Sequence, residues 1–397
     1  MPTFLWQARD RQGNARQGEI EAANRDQAVA LLRRQQLSAI AVKKKPIEIE
    51  LFSEKVTEKD LAIFYRQLST MINAGLPLVQ CFQLAERGTE KKAFKKLLAE
   101  IRQSLEQGSP LAETLRKFPD HFDRLSCALV EAGEQGGILD KILLRLTEYK
   151  EKALALKAKI KSAMVYPVAI LVVAFVVTAI LMIFVIPVFG EMFADFGADL
   201  PLPTKITMAV SDFFVAYWYL IVGLPFALVF GIRAWYRTDR GRRMLDRLLL
   251  NLPVLGEVLR KASVARFCRT FATLIGAGVP IIEAMDTVAE TAGNVILEEA
   301  INEAKLAISQ GKTLAAPLAE SGLFPVMVTQ MISIGEEVGN LEEMLAKIAD
   351  FYEQEVDTAV ANMTALMEPF IMAFLGVVIG GLVISMYLPI FKMAAVV

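Results

Sequence analysis

The stretch from Ser162 to Gly190 reads SAMVYPVAILVVAFVVTAILMIFVIPVFG and contains no charged side chain. At a rise of about 1.5 Å per helical residue, about 20 apolar residues cross a hydrocarbon core of about 30 Å. We therefore predict a membrane-spanning helix at 162–190. A second uncharged stretch, PFIMAFLGVVIGGLVISMYLPIF, runs from Pro369 to Phe391. Its length and composition predict another span.

The two apolar stretches belong to a sequence repeat. Pro167 recurs 202 residues later as Pro369, and the polar segments before each stretch recur at nearly the same interval. FYRQLSTMINAGLPL returns as FCRTFATLIGAGVPI, and AGEQGGILDKIL returns as IGEEVGNLEEML. A self-similar period indicates tandem copies of one structural unit. The chain is therefore predicted to carry two polar modules on duplicated membrane anchors.

The composition separates charge from apolar content along the chain. Of 397 residues, 54% are hydrophobic and 22% are charged, and the net charge is −1. This balance does not favour a nucleic-acid partner. Cys81, Cys127 and Cys268 occur singly, without the CxxC spacing or the histidines of a zinc site, and we interpret them as reduced core residues. We predict no metal and no cofactor.

Periodicity and punctuation by Gly and Pro divide the chain into segments. The fold class is an all-α membrane protein with two six-helix bundles, three transmembrane helices and a small N-terminal ββαβ cap. Thr57 and Asp60 are spaced as a capping box for the first helix of the first bundle. The sixth helix shows no stop signal before Ser162, so we expect it to continue into the membrane. The predicted segments are a cap at 1–45, a linker at 46–56, a first bundle at 57–161, a first span at 162–190, a periplasmic loop at 191–212, a second span at 213–232, a basic juxtamembrane segment at 233–262, a second bundle at 263–365, a third span at 366–391 and a periplasmic tail at 392–397.

Charges beside the spans predict the topology. The segment before the first span is rich in lysine and the segment after the second span is rich in arginine, whereas the loop between them is acidic. By the positive-inside rule, both bundles and the N-terminus lie in the cytoplasm, and three crossings place the C-terminus in the periplasm. The N-terminus has no apolar h-region, so we expect no cleavable signal peptide.

Two motifs that suggest chemistry are better explained by structure. Gly311-Lys312-Thr313 resembles the end of a phosphate-binding loop, but the segment before it is helical and Leu306 stands where that loop needs glycine. We interpret Gly311 as a helix C-cap. His121 is the only histidine, and no nucleophile or carboxylate surrounds it at a recognisable spacing. We predict no catalytic role for it.

The repeated Gly-Glu-x-x-Gly is the sharpest polar motif, with Gly133 and Glu134 in the first copy and Gly335 and Glu336 in the second. Its glycines fit a turn between helices, but a turn does not require the glutamate. Glu134 and Glu336 are therefore candidates for a partner contact or a bound cation.

Two further sets of residues leave alternatives open. Arg66 and Arg269 recur at equivalent positions, and each fits either a partner contact or a salt bridge within its bundle. The third span carries small residues that allow another helix to approach closely, either in a second copy of the protein or within the same chain. These are Gly376, Gly380 and Gly381.

The order of these motifs resembles that of the inner-membrane platform proteins of type IV pilus and type II secretion machines, the PilC/GspF family. The resemblance rests on the paired RQL/RTF and AGxPL stretches, the two GExxG turns, the span starts at Tyr166-Pro167 and Glu368-Pro369, and the closing MYLPIFKM. The segment LPLPTKITMAVSDFF is more similar to the pilus branch.

The resemblance implies a non-enzymatic platform in the bacterial inner membrane. It implies hexameric extension and retraction ATPases, pilin subunits, inner-membrane pilus alignment proteins and a second copy of the chain as partners. Arg66, Arg269 and the two GExxG turns correspond to positions shared across the family. The alternatives are a type II secretion platform, a transporter or permease subunit, and a membrane-bound enzyme. Apart from Glu368 at the border of the third span, the spans contain no Asp, Glu, Lys, Arg or His, which disfavours an ion path.

Overall fold

The computed structural model describes residues 3–9, 15–22, 27, 38–44, 55–195 and 201–394. It divides into two compact units, Met1–Lys55 and Val56–Val397. In the first unit, β1 (Thr3–Arg9), β2 (Ala15–Glu21) and β3 (Ser38–Lys44) form an antiparallel sheet in the order β2-β1-β3. Apart from Gln27, the helix predicted for this unit lies outside the described residues, as does most of the predicted linker.

The first repeat contains six helices in the described chain. They are α1 (Glu58–Asn73), α2 (Leu78–Gly88), α3 (Lys92–Glu106), α4 (Leu111–Arg116), α5 (Arg124–Gly136) and α6 (Leu139–Ile180). The predicted capping box is present: Thr57 N–H donates to Asp60 Oδ2 at 2.8 Å, and Asp60 N–H donates to Thr57 Oγ1 at 3.3 Å. This pairing satisfies backbone groups at the start of α1.

The helix α6 continues from the first repeat into the apolar stretch, as predicted. It passes Pro167 without ending and is followed by a π-helical turn, Leu181–Val185, and by α7 (Ile186–Asp195). Among the described residues, three helical stretches are long and apolar enough to cross a bilayer. They are Leu139–Met192, Trp218–Tyr236 and Leu341–Pro389.

The segment predicted as a loop at 191–212 is largely helical. α8 (Leu202–Ala216) is followed, after a break at Tyr217, by α9 (Trp218–Tyr236). α8 packs on the first and third apolar helices: Thr204 donates to the Ser385 carbonyl at 2.6 Å, and Ser211 donates to the Met182 carbonyl. These contacts fix α8 as a separate helix, so α9 begins five residues later than the span predicted at 213–232.

The second repeat is preceded by α10 (Asp239–Asn251). Its helices are α11 (Leu255–Gly276), α12 (Ile281–Thr291), α13 (Val295–Ser309), α14 (Ala315–Glu320), α15 (Val326–Val338) and α16 (Leu341–Ala394). Like α6, α16 runs without interruption from its repeat into an apolar stretch.

The two repeats share one hydrophobic core. A single cluster of buried side chains includes Phe64 and Phe82 of the first repeat and Phe267 and Phe271 of the second. α5 and α6 of the first repeat pack against α11, α12 and α16 of the second. The repeats are therefore parts of one body.

Candidate functional site

The glutamate of the first Gly-Glu-x-x-Gly turn caps a neighbouring helix. The turn joins α5 to α6, and the Glu134 carboxylate accepts hydrogen bonds from the backbone N–H groups of Leu111 at 2.6 Å and Ala112 at 2.9 Å. These are the first two residues of α4. The first N–H groups of a helix have no partner within the helix and carry partial positive charge. A carboxylate that accepts two of them neutralises an otherwise unsatisfied helix end.

The second copy of the turn repeats this geometry. Glu336 accepts from Leu314 N–H at 2.6 Å and from Ala315 N–H at 3.1 Å, at the start of α14. Both oxygens of each glutamate are therefore engaged inside their own repeat. The sequence suggested a partner contact or a cation for these residues because the capped helix lies more than 20 positions earlier in the chain and nothing local indicates it.

The glycines of the turn have steric explanations. A Cβ on Gly133 would lie 3.1 Å from the Ile142 side chain, and a Cβ on Gly335 would lie 3.1 Å from Met344. Gly137 and Gly339 end their helices in the left-handed conformation, with φ of 65° and 76°. The first glycine permits two helices to cross closely and the last permits the reversal between them.

The repeated arginines both pair with the long helix of their own repeat. Arg66 contacts Glu151 of α6 at 2.6 Å and its side chain is 68% exposed. Arg269 contacts Glu353 of α16 at 2.8 Å, also contacts Asp350, and is only 16% exposed. Burial alone would lower the pKa of Arg269, but the two carboxylates outweigh it and raise that pKa. Of the two arginines, Arg66 presents far more surface to a partner.

A polar seam between the repeats was not identified from the sequence. Arg145 of α6 contacts Glu342 at the start of α16 at 2.8 Å, and the hydroxyls of Tyr149 and Thr270 lie 3.2 Å apart. Lys152, also on α6, contacts Asp350 at 3.0 Å. Such pairs depend on how one repeat packs on the other, and the 202-residue periodicity does not specify that.

The third apolar helix leaves its small residues uncovered. A Cβ added to any of the three predicted packing residues meets no described atom within 4 Å. The neighbouring Val377 is 76% exposed. Of the two alternatives, packing within one chain is therefore absent at these positions in the described structure. The residues are Gly376, Gly380 and Gly381.

A groove of about 500 Å³ separates the two long helices where they enter the apolar region. The ion pair of Lys159 and Asp357, at 2.5 Å, lies in this groove, and small side chains such as Ala163 and Ala361 line it. Within the described ranges, no three His, Cys, Asp or Glu side chains are grouped in a way that could hold a metal ion.

The loop that resembles a phosphate-binding motif lies in a helix-ending turn. Gly311 follows the end of α13 with φ of 79°, which matches the predicted C-cap role. His121 lies in the turn between α4 and α5, where its backbone N–H donates to the Phe118 carbonyl at 3.1 Å. Neither residue belongs to an assembled reactive site.

Comparison with known proteins covers both repeats. The family model for type II secretion system protein F matches residues 64–187 and again 267–389, and the model for the N-terminal domain of that protein matches residues 1–43. The chain is 47% identical over 396 residues to the type IV pilus assembly protein PilC of Myxococcus xanthus, covering 98% of this chain and 95% of that protein. It is 44% identical to the PilC of Pseudomonas aeruginosa, over 93% of this chain and 99% of the relative. It is 32% identical to the type II secretion system protein F of the same organism, over 99% of each chain.

Proposed function

Because the chain belongs to the family of type II secretion system protein F, we propose that it is the inner-membrane platform protein of a type IV pilus machine. The observation that carries this proposal is the full-length similarity to proteins named for type IV pilus assembly, at 42–47% identity in four relatives. Similarity to secretion proteins is weaker, at 30–33%. The pilus branch is therefore the better assignment.

In this proposal both repeats are six-helix bundles in the cytoplasm, the N-terminus is cytoplasmic and the C-terminus is periplasmic. The bundles dock onto hexameric extension and retraction ATPases, and the spans receive pilin subunits and contact alignment proteins in the inner membrane. The platform does no chemistry of its own. It transmits mechanical work from the ATPases, because each long helix extends from a bundle into an apolar span.

The proposed ATPase contacts are the arginine helices and the two turns. Arg66 is the foremost candidate, since its guanidinium is largely exposed while it pairs with Glu151. Glu134 and Glu336 would contribute through the shape of the turns, because their carboxylates cap helices. The three uncovered glycines of α16 would pack against a second copy of the chain.

Co-purification tests the proposal directly. The full chain in detergent is expected to retain the extension ATPase of its own organism, and R66E is expected to weaken that retention by at least about tenfold, since reversal replaces attraction with repulsion. K96E is the control, because Lys96 is also largely exposed and pairs with Glu100 on α3, outside the proposed contacts. ATP hydrolysis by the isolated chain, or no ATPase retention by the wild type, would contradict the platform assignment.

Complementation distinguishes a role in pilus assembly from a role in type II secretion. Expression in a bacterium that lacks its pilus platform is expected to restore twitching motility. Restoration of protein secretion in a secretion-platform deletion, without restoration of pili, would favour the secretion branch instead.

A further inference from the structure

The helix α10 has two unlike faces. Asp246 and Leu250 are 2% and 8% exposed, and they face the second repeat. Met244 and Leu248, four residues apart and hence on one side of the helix, are 62% and 55% exposed, and Leu252, just after the end of the helix, is 39% exposed. An apolar stripe on a short helix that is otherwise rich in arginine requires an explanation beyond the core of the protein.

The arginines of α10 fall into two pairs. Arg242 and Arg243 form ion pairs with glutamates of α13, at 3.4 and 2.9 Å. Arg240 and Arg247 are exposed and form no ion pair within the described ranges. They lie four residues before and three residues after Met244, and so they border one side of the apolar stripe. The open face of α10 is therefore both apolar and positively charged.

Both the start and the buried face of α10 are held in place. Tyr236, the last residue of α9, donates from its hydroxyl to Asp246 at 3.1 Å. The other Asp246 oxygen accepts from Val295 N–H at 2.9 Å, at the start of α13. A Cβ at Gly241 would collide with the Trp235 carbonyl, so the two helices meet at a tight corner. One face of α10 is thus fixed to the second repeat, and the opposite face looks away from it beside the end of an apolar helix.

We propose that α10 is an interfacial helix that binds anionic phospholipids of the bilayer. Met244, Leu248 and Leu252 enter the boundary between headgroups and acyl chains, and Arg240 and Arg247 bind headgroup phosphates. The inference rests on the proposed course of α9 across the membrane. Only two residues, Arg237 and Thr238, separate α9 from α10, so the start of α10 lies at the bilayer surface in the proposed topology.

The chemistry favours lipid over a protein partner. The two unpaired arginines complement a surface of negative phosphates. The stripe beside them belongs to a helix that begins two residues after an apolar helix, which lipid surrounds in the proposed topology. Lipid attachment at α10 would hold the second repeat at a fixed orientation to the membrane, through Asp246 and the start of α13.

Site-specific probes in nanodiscs test the inference on the full chain. An environment-sensitive nitrobenzoxadiazole label is attached to cysteine in M244C, and separately in F226C and L306C. Phe226 lies in the middle of α9 and is 67% exposed, so it reports whether α9 is in lipid. Leu306 is 61% exposed near the end of α13, whereas α10 contacts the start of that helix, so Leu306 reports the surface of the second repeat away from the contact. Discs of phosphatidylcholine are compared with discs that also contain phosphatidylglycerol, and spin-labelled lipids quench probes that lie in the bilayer.

In discs with phosphatidylglycerol, the probe at position 244 is expected to be quenched, and the probe at position 306 to remain unquenched. Reversal of charge in R240E/R247E is expected to weaken attachment by about fivefold for each arginine. Quenching at 226 but not at 244 would overturn the inference while leaving the topology intact. Equal quenching at 244 in both disc types, unaffected by R240E/R247E, would overturn the role of anionic headgroups. Protection of the probe at 244 without lipid quenching would assign the stripe to a protein partner instead.

Discussion

Both repeats contain the same Gly-Glu-x-x-Gly turn, but the helices that it joins are covered in the first repeat and exposed in the second. In the first repeat, α5 and α6 are covered by the second repeat, and Tyr149 is hydrogen-bonded across the seam. At the equivalent place in the second repeat, Phe351 is 45% exposed, and α15 carries Val326 and Val338 at 71% and 72% exposure. The repeats therefore associate head to tail, so one copy of this face is used and the other is left open.

The comparison distinguishes residues that hold the fold from residues that depend on a neighbour. Glu134 and Glu336 make the same two hydrogen bonds because each repeat needs its capped helix. Arg66 and Arg269 differ in burial because only Arg269 lies beside the other repeat, where Lys152 of α6 also reaches Asp350 and Glu353. Residues that recur in both repeats thus make the same contacts inside each repeat. Where equivalent residues differ in burial or in ion pairs, the difference comes from the contact between the two repeats.

The largest expected effect comes from removal of the capping carboxylates. E134A and E336A each leave two N–H groups unsatisfied at a helix start, which costs about 2–4 kcal/mol of stability. Thermal unfolding of the full chain in detergent, followed with a thiol-reactive fluorophore, measures the loss. The native thiols are suitable reporters because Cys81, Cys127 and Cys268 are buried, and burial raises the pKa of Cys127 to about 11.

Neighbouring residues serve as controls for the capping variants. Gln135 and Glu337 adjoin the two glutamates and are exposed, so Q135A and E337A are expected to leave the unfolding temperature unchanged. A large loss in only one of the two capping variants would break the equivalence of the repeats.

The glycines at the close helix crossings, Gly133 and Gly335, are expected to differ in how much stability an alanine costs. G133A places a Cβ against the β-branched Ile142, whereas G335A places one against the flexible Met344. We expect G133A to cost about 2 kcal/mol and G335A about 1 kcal/mol, since a methionine side chain adapts more easily. The same thermal assay checks the order, and G136A, in a roomier position of α5, is expected to be neutral or slightly stabilising. A reversed order would contradict the steric account.

Substitution of the more buried of the two repeated arginines is expected to cost more stability. R269A should cost about 1–2 kcal/mol, because it leaves Asp350 and Glu353 without their main partner. R66A should cost less than about 1 kcal/mol, as is usual for an exposed ion pair. Equal losses in the unfolding assay would mean that the seam does not distinguish the two sites.

A further expected effect is a pH dependence that comes from a helix cap present in the first repeat and replaced in the second. Asp123 caps α5 through Ser126 N–H at 3.0 Å and contacts Lys150 at 2.5 Å, whereas Pro325 takes its place before α15. Burial alone would raise the pKa of Asp123, but Lys150 and Ser126 outweigh it and lower that pKa. A lowered folded-state pKa means that the stabilisation is complete above the unfolded value of about 3.9 and is lost as the pH falls through the folded value.

The variant D123A is therefore expected to cost about 1 kcal/mol near neutral pH. The difference from wild type should shrink as the pH falls below about 4. P325A should show no such convergence with wild type in the same unfolding series. A D123A deficit that persisted unchanged in acid would exclude the ionised cap.

Local signals were sufficient for much of the fold. Uncharged stretches of sufficient length predict apolar helices wherever they occur, so the first and third long helices follow from composition. The capping box at Thr57 and Asp60 and the helix-ending Gly311 were also predicted, because each depends on residues within one turn. The continuity of α6 followed from the absence of a stop signal before Ser162.

Longer-range features could not be predicted in the same way. The role of Glu134 depends on α4 lying beside α5, which is a tertiary contact. α8 was assigned to a loop because acidic residues precede it, and only its packing through Thr204 and Ser211 fixes it as a helix. The seam residues, such as Tyr149, gave no signal because their counterparts in the other repeat make different contacts.

The most direct test of the account is which side of the membrane each repeat occupies. Single cysteines are introduced at exposed leucines: L84C in the first repeat, L306C in the second, and L202C at the start of α8. An impermeant maleimide added to intact spheroplasts is expected to label only L202C, and permeabilised cells should label all three. Labelling of one repeat and protection of the other in intact spheroplasts would contradict a single cytoplasmic body anchored by the spans.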